Sequence, residues 1–164
     1  MITLAKAPSL RFLFSHPAHF LACGCGSGLS PWAPGTAGTL FALLTYGLIR
    51  PYFGEAQFAL LLLAAYLLGI WCVHRSGLDL GEPDHGSIVW DEIVPFWLVL
   101  FMSPPGWLWQ LAAFALFRLF DIVKLPPADW FDQKMKNGFG VMADDLAAAF
   151  HTLLVIAGIK WLPN

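Results

Sequence analysis

Charge is what this chain lacks most. Of its 164 residues only 12% are Asp, Glu, Lys or Arg, about half the share of roughly 25% that an average soluble domain carries. Beside 58% hydrophobic residues and a mean hydropathy of +0.65, that scarcity excludes an ordinary water-soluble globule and places the chain in lipid. A basic surplus is missing too. With a formal net charge of −2 and a pI near 6.2 there is no lysine and arginine stripe for a phosphate polymer, so nucleic acid is not an expected partner. Cysteine is scarce and odd in number: Cys23, Cys25 and Cys72 offer a C-x-C without a second pair or a nearby His. That is a poor zinc pattern, and these read as small apolar packing residues. No linker, low-complexity tract or internal repeat divides the chain, which reads as one membrane-embedded domain over 1–164. Nor does the N-terminus read as a cleaved signal peptide, because Lys6, Arg11, His16 and His19 interrupt any apolar run before Cys23. Residues 1–22 read as a mildly basic interfacial helix or arm, and 23–164 as a helical bundle.

What is present is a series of apolar segments: 36–49, 56–74, about 88–102, 107–124 and about 144–162. Period-2 alternation is absent, and runs rich in Leu, Ala and Phe at these lengths are helices, because lipid requires every backbone amide to be paired within its segment. The expected fold is therefore all-α, an integral membrane bundle of about four to five apolar helices plus the N-terminal interfacial helix. The first and third segments are shorter than the roughly 20 residues that cross a 30 Å hydrocarbon core, so they are tilted, broken or partly inserted. The eight Trp residues fit interfacial belts. Between the third and fourth segments, Ser103-Pro104-Pro105-Gly106 permits only an antiparallel reversal.

Counting crossings gives this map a functional meaning. If each segment crosses once, the starts of the first, third and fifth and the ends of the second and fourth share one face. Gly35, Thr36, His74, Asp84, His85, Asp91, Glu92, Arg118, Asp121, Lys124, Asp144 and Asp145 collect there. Lys6, Arg11, Arg75, Arg118, Lys124, Lys134 and Lys136 lie on that face, and only Arg50 and Lys160 oppose them. By the positive-inside rule the polar face is cytoplasmic.

Acids at the edges of bilayer-length segments are costly to desolvate and are kept where a metal, a base or a substrate compensates them. Asp144-Asp145 suits a hard divalent cation such as Mg²⁺, which binds carboxylate oxygens and keeps some water; an acidic helix N-terminus favoured by the macrodipole is the plainer reading. Asp91-Glu92 admits the same two readings. Arg118, Asp121 and Lys124, spaced i, i+3, i+6, lie along one side of a helix. They form either a salt-bridge ladder or a site in which Asp121 holds a cation while Arg118 and Lys124 meet an anionic oxygen. Gly35, Thr36 and Thr39 open a helix with glycine and hydroxyls to hand, a plausible phosphate seat or simply a tight turn. Gly138-Phe139-Gly140 reads as a flexible lead-in, and Asp129 and Asp132 as loop acids of less consequence. Of the isolated histidines, His85 is the best placed for the site.

Five stretches are more specific. Gly28-Leu29-Ser30-Pro31-Trp32-Ala33-Pro34-Gly35-Thr36, Asp84-His85-Gly86-Ser87-Ile88-Val89-Trp90-Asp91-Glu92, Arg118-x-x-Asp121-x-x-Lys124, Trp130-Phe131-Asp132 and Gly140-Val141-Met142-Ala143-Asp144-Asp145 together resemble the phosphatidylglycerophosphatase A family, in the family's order, from about Gly24 to Ala149. Two positions depart from its pattern. Pro95 stands where glycine is usual and Leu125 where proline is usual; neither touches the acids. The resemblance implies a bacterial inner-membrane lipid phosphatase that hydrolyses phosphatidylglycerophosphate to phosphatidylglycerol with Mg²⁺. On that footing Asp91, Glu92, Asp121, Asp144 and Asp145 are the expected metal ligands. Asp91, Asp121, Lys124, Asp144 and Asp145 are the expected catalytic set, and Gly35, Thr36, Thr39, Arg118 and His85 the substrate contacts. The diacylglycerol part is expected to stay in the leaflet without a deep pocket. Phosphotransferases that use CDP-lipids carry a D-G-x-x-A-R spacing, and His-dependent lipid phosphatases need separated Arg and His motifs; neither pattern occurs here. A non-enzymatic subunit would need acids along a pore, whereas these gather at one end.

Overall fold

The computed structural model describes residues 8–161; Lys6 and Leu162, assigned above to the arm and to the last segment, lie outside the described residues. Two short helices, α1 (Leu10–Leu13) and α2 (Pro17–Ala22), precede a 3-10 run over Gly24–Leu29. Then follow α3 (Pro34–Ile49), α4 (Glu55–Leu80), α5 (Trp90–Met102), α6 (Trp107–Val123), α7 (Ala128–Lys134) and α8 (Gly138–Trp161). No strand occurs among the described residues. Local chemistry sets several boundaries. Proline opens α2 and α3, where its missing N–H and fixed φ cost nothing. At α4 the Gln57 side chain accepts the Gly54 N–H at 2.9 Å, and the helix stops at Gly81, whose φ of 77° is left-handed.

The centre of the bundle is α5. Ile93, Phe96 and Val99 have no exposed surface, and the helix packs against α3, α4 and α8. In turn α8 packs on α4, α5, α6 and α7, so the acids of α5 and α8 face one another across the middle of the fold. Trp90 and Trp97 also belong to this core. Their indole N–H groups donate to the carbonyls of Ala65 at 3.1 Å and Ala42 at 3.0 Å, partners a buried indole needs, so these two tryptophans serve no interfacial belt.

The outer surface is apolar. Leu44, Leu48, Leu60, Leu63, Leu67 and Trp71 are all exposed, more contiguous hydrocarbon than a water-soluble monomer leaves uncovered, and this is the surface of a membrane protein. Two helices, α4 and α8, are long and apolar enough to cross a bilayer. The apolar α3, α5 and α6 are shorter, with 16, 13 and 17 residues, or about 24, 20 and 26 Å at 1.5 Å per residue, against a core of about 30 Å.

Three sequence expectations change here. The segment α2 is more than a surface arm: Ala18 and Ala22 are fully buried against α4, and His19 Nε2 sits 2.9 Å from Asp79 Oδ2. The second apolar segment runs on past His74 to Leu80. The last begins at Gly138 rather than Asp144, because Gly138 is pressed against the Ile70 carbonyl and the His74 backbone, where any Cβ would collide. What reads locally as a flexible lead-in is a helix start fitted to its neighbour.

Candidate active site

The ends of α3, α5, α6 and α8 meet the loop after α4 in a cleft of about 350 Å³. Its lining includes Gly35, Asp84, Asp91, Glu92, Arg118, Asp121, Lys124, Asp144 and Asp145. The convergence expected from counting segments is therefore realised. Since α8 starts six residues before Asp144, the Asp144-Asp145 pair lies beyond the first turn and cannot act as a cap for the helix dipole. Asp91 does lie in the first turn of α5, yet it is 95% buried and its Oδ1 has no hydrogen-bond partner. A cap exposed to water would not be left so.

The acids divide into two groups. In the first, Glu92, Asp121 and Asp145 bring one carboxylate oxygen each to within 4.8 Å of one another, with Asp91 beside them in the same cleft. Arg118 closes one side: its Nη1 lies 2.9 Å from Glu92 Oε1, 2.6 Å from Asp121 Oδ2 and 3.5 Å from Thr39 Oγ1. Glu92 Oε2 is buried without any partner. In the second group Asp84, Asp132 and Asp144 are similarly clustered around Lys124 Nζ, at 4.0, 3.1 and 2.6 Å. Burial alone lowers the pKa of the Lys124 ammonium, but its bonds to Asp144 and Asp132 outweigh that and hold it well above the usual lysine range. At Asp132 partial burial acts upward, and the Lys124 hydrogen bond and charge prevail, keeping its carboxyl below the usual range.

The phosphate-seat residues are distributed unevenly. Gly35 lines the cleft, and a Cβ there would run into the Glu92 carboxylate and the Arg118 guanidinium, so glycine lets the first turn of α3 approach that ion pair. In such a turn the first amides lack helical acceptors. Thr39 is fully buried and donates its hydroxyl to the Gly35 carbonyl at 2.9 Å, which braces the turn. Thr36 is half-buried on the same turn, outside the cleft lining. His85 is buried, also outside that lining, and its Nδ1 accepts the Ser87 N–H at 3.2 Å. Asp132 was underrated by the sequence reading: it sits on α7 and is bonded to Lys124, whereas Asp129 bonds only the adjacent Trp130 amide. The signal available was its place in the Trp130-Phe131-Asp132 stretch.

Donor chemistry decides what such a cleft can hold. Every metal-capable group is a carboxylate, and oxygen-only sets suit hard cations such as Mg²⁺ rather than zinc. The unpartnered oxygens of Asp91 and Glu92 are costly unless a cation meets them. The residues present therefore fit a divalent ion in the first group.

The chain was compared with known proteins. The family model described as phosphatidylglycerophosphatase A matches residues 20–160. A phosphatidylglycerophosphatase A of Haemophilus influenzae is 42% identical over 155 residues, covering 94% of this chain and 95% of that protein. One of Escherichia coli K12 is 38% identical over 152 residues, 92% of this chain and 86% of its own. A putative phosphatidylinositol-3-phosphatase of Bacteroides thetaiotaomicron is 41% identical over 148 residues, 85% and 91% of the two chains. No solved structure matches.

Proposed function

The chain belongs to the phosphatidylglycerophosphatase A family, and we propose that it hydrolyses phosphatidylglycerophosphate with Mg²⁺ in a bacterial inner membrane, its cleft facing the cytoplasm. The observation that carries this reading is the excess of buried carboxylate oxygens in the first acid group, with Asp91 Oδ1 and Glu92 Oε2 unpartnered. Glu92, Asp121 and Asp145, with Asp91, would hold the ion, and Asp144 reaches toward it from the neighbouring group. Bound there, Mg²⁺ would supply Lewis-acid polarisation of a phosphoryl oxygen and a lowered pKa for water. Arg118 and Lys124 bind the remaining phosphoryl oxygens as charge builds on them. The Gly35 and Thr36 amides add neutral donors at the α3 N-terminus. A cleft carboxylate takes a proton from water as the water oxygen bonds to phosphorus, the P–O bond to the glycerol oxygen breaks, and the carboxylic acid returns that proton to the leaving oxygen, giving phosphatidylglycerol and inorganic phosphate. The name of the Bacteroides relative favours a second reading, in which the same chemistry serves another lipid phosphomonoester.

The test is phosphate release by the purified full chain. Turnover on phosphatidylglycerophosphate should vanish with EDTA and return with Mg²⁺; full activity after exhaustive chelation overturns the metal. Faster turnover on a phosphatidylinositol 3-phosphate would select the second reading. For orientation, cysteines placed at Gly106 and at Lys136, in a background without the three native cysteines, should react with an impermeant reagent from opposite sides. Same-side labelling rejects the topology.

A further inference from the structure

We propose that an apolar groove running from the acid cleft toward the far end of α8 binds one acyl chain of the lipid substrate. The proposal rests on the lipid phosphatase reading above. Two hollows, of about 370 and 790 Å³, adjoin at Leu98 and Leu146, which line both, along α5 and α8. Tyr66 is the only polar side chain of the first, and in the second only Ser103, Lys160 and the Trp161 indole offer polar atoms.

Continuity with the cleft runs along α5. On α5, Asp91, Val94, Pro95, Leu98 and Met102 fall at i, i+3, i+4, i+7 and i+11 and share one face. The first of them lines the acid cleft, and the others line the groove. On α8, Leu146, Phe150, Leu154, Ala157 and Trp161 form a stripe at helical spacing that lines the hollows. From α4, Tyr66 lines the same hollow as Val94, Pro95 and Leu146. From Leu146 to Trp161 the stripe covers about 22 Å at 1.5 Å per residue, so a chain inserted there lies along the membrane normal. A phosphate held at the acids thus delivers its own hydrocarbon to the near mouth. On this proposal one acyl chain lies in protein and the other in the leaflet.

The experiment uses the full chain in detergent micelles and phosphatidylglycerophosphate carrying a diazirine at the end of one acyl chain. Photolysis should label peptides containing Leu154, Ala157 or Trp161. Unlabelled phosphatidylglycerophosphate should compete at least tenfold more effectively than phosphatidylcholine. Label spread over the outward leucines of α3 and α4, or equal competition by phosphatidylcholine, overturns the proposal, the first by placing the chain in bulk lipid and the second by making the groove an ordinary lipid-contact surface. Filling variants give a second reading. Ala59→Phe and Ala157→Phe should raise KM for a dipalmitoyl substrate about tenfold while changing that for a dihexanoyl substrate less than twofold. Equal losses on both substrates, or none on either, also overturn it. Groove labelling without hydrolysis would leave the chain-binding site standing and remove the phosphatase reading; hydrolysis without groove labelling would do the reverse.

Discussion

The two acid groups of the cleft lie side by side, yet they are compensated in opposite ways. Around Lys124 three carboxylates meet an ammonium at the centre, with a second cation, Lys136, 3.6 Å from Asp132. Beside Arg118 four carboxylates meet one guanidinium, which reaches only Glu92 and Asp121 among them. One group carries its own cations; the other is short of one. Proximity of acids is therefore a weaker sign of a metal seat than acids whose oxygens stay buried and unpaired. The two basic residues that would meet a phosphate are therefore held differently: Arg118 by Glu92 and Asp121 at the rim of the seat, and Lys124 by Asp144 and Asp132, whose bonds it must share with the phosphate.

The sharpest way to break this contrast is to remove charge from the cation-poor group. Asp121→Asn and Asp145→Asn should each lower turnover about 1,000-fold, equivalent to about 4 kcal/mol of transition-state stabilisation, and abolish Mg²⁺ binding in calorimetry while the protein stays monodisperse. Retained Mg²⁺ affinity in both variants would move the seat elsewhere. Next, Lys124→Met should lower turnover about 100-fold, some 2.7 kcal/mol, and leave Mg²⁺ binding intact; loss of the ion with the lysine would merge the two groups into one. A smaller effect separates neighbours on α7. Asp132→Asn, which loosens Lys124, should cost about tenfold in turnover, about 1.4 kcal/mol, and Asp129→Asn less than twofold. The smallest effect is on stability without metal. Lys124→Met strands the buried Asp144 carboxylate and should lower Tm, whereas Asp145→Asn relieves repulsion among unpaired acids and should raise it, each by about 2 to 4 °C for a change of about 1 kcal/mol. Shifts of the same sign would show that both groups are equally compensated.

Much of the site was legible because it depends on segment ends, and apolar run lengths locate those ends well. Asp91, Glu92, Asp121, Lys124, Asp144 and Asp145 reach one cleft as counting crossings required. Less was legible where a neighbour decides. Gly138 looks like a helix breaker until the Ile70 carbonyl is seen against it, and with the true start of α8 the capping role for Asp144 disappears. Asp132 looked like a loop acid because nothing local reveals the lysine of α6 beside it. Trp90 and Trp97 were assigned to the interface by composition, but their carbonyl partners lie 25 and 55 residues away in sequence. Helix type and rough extent follow from hydropathy; the number of full crossings does not, since α3, α5 and α6 are equally apolar yet too short to span untilted.

The tight seat of Gly138 has a mechanical consequence. At its first turn α8 is clamped backbone to backbone against α4, while its far half borders an open hollow. A rod held backbone to backbone at one end and by side chains such as Thr152 and Ile156 further along pivots most readily about the tight end. Splaying at Trp161 to admit a bulky guest displaces Asp144 and Asp145, six and seven residues from the pivot, far less than the tip. The bundle can flex where hydrocarbon enters and keep its acids in register where bonds break.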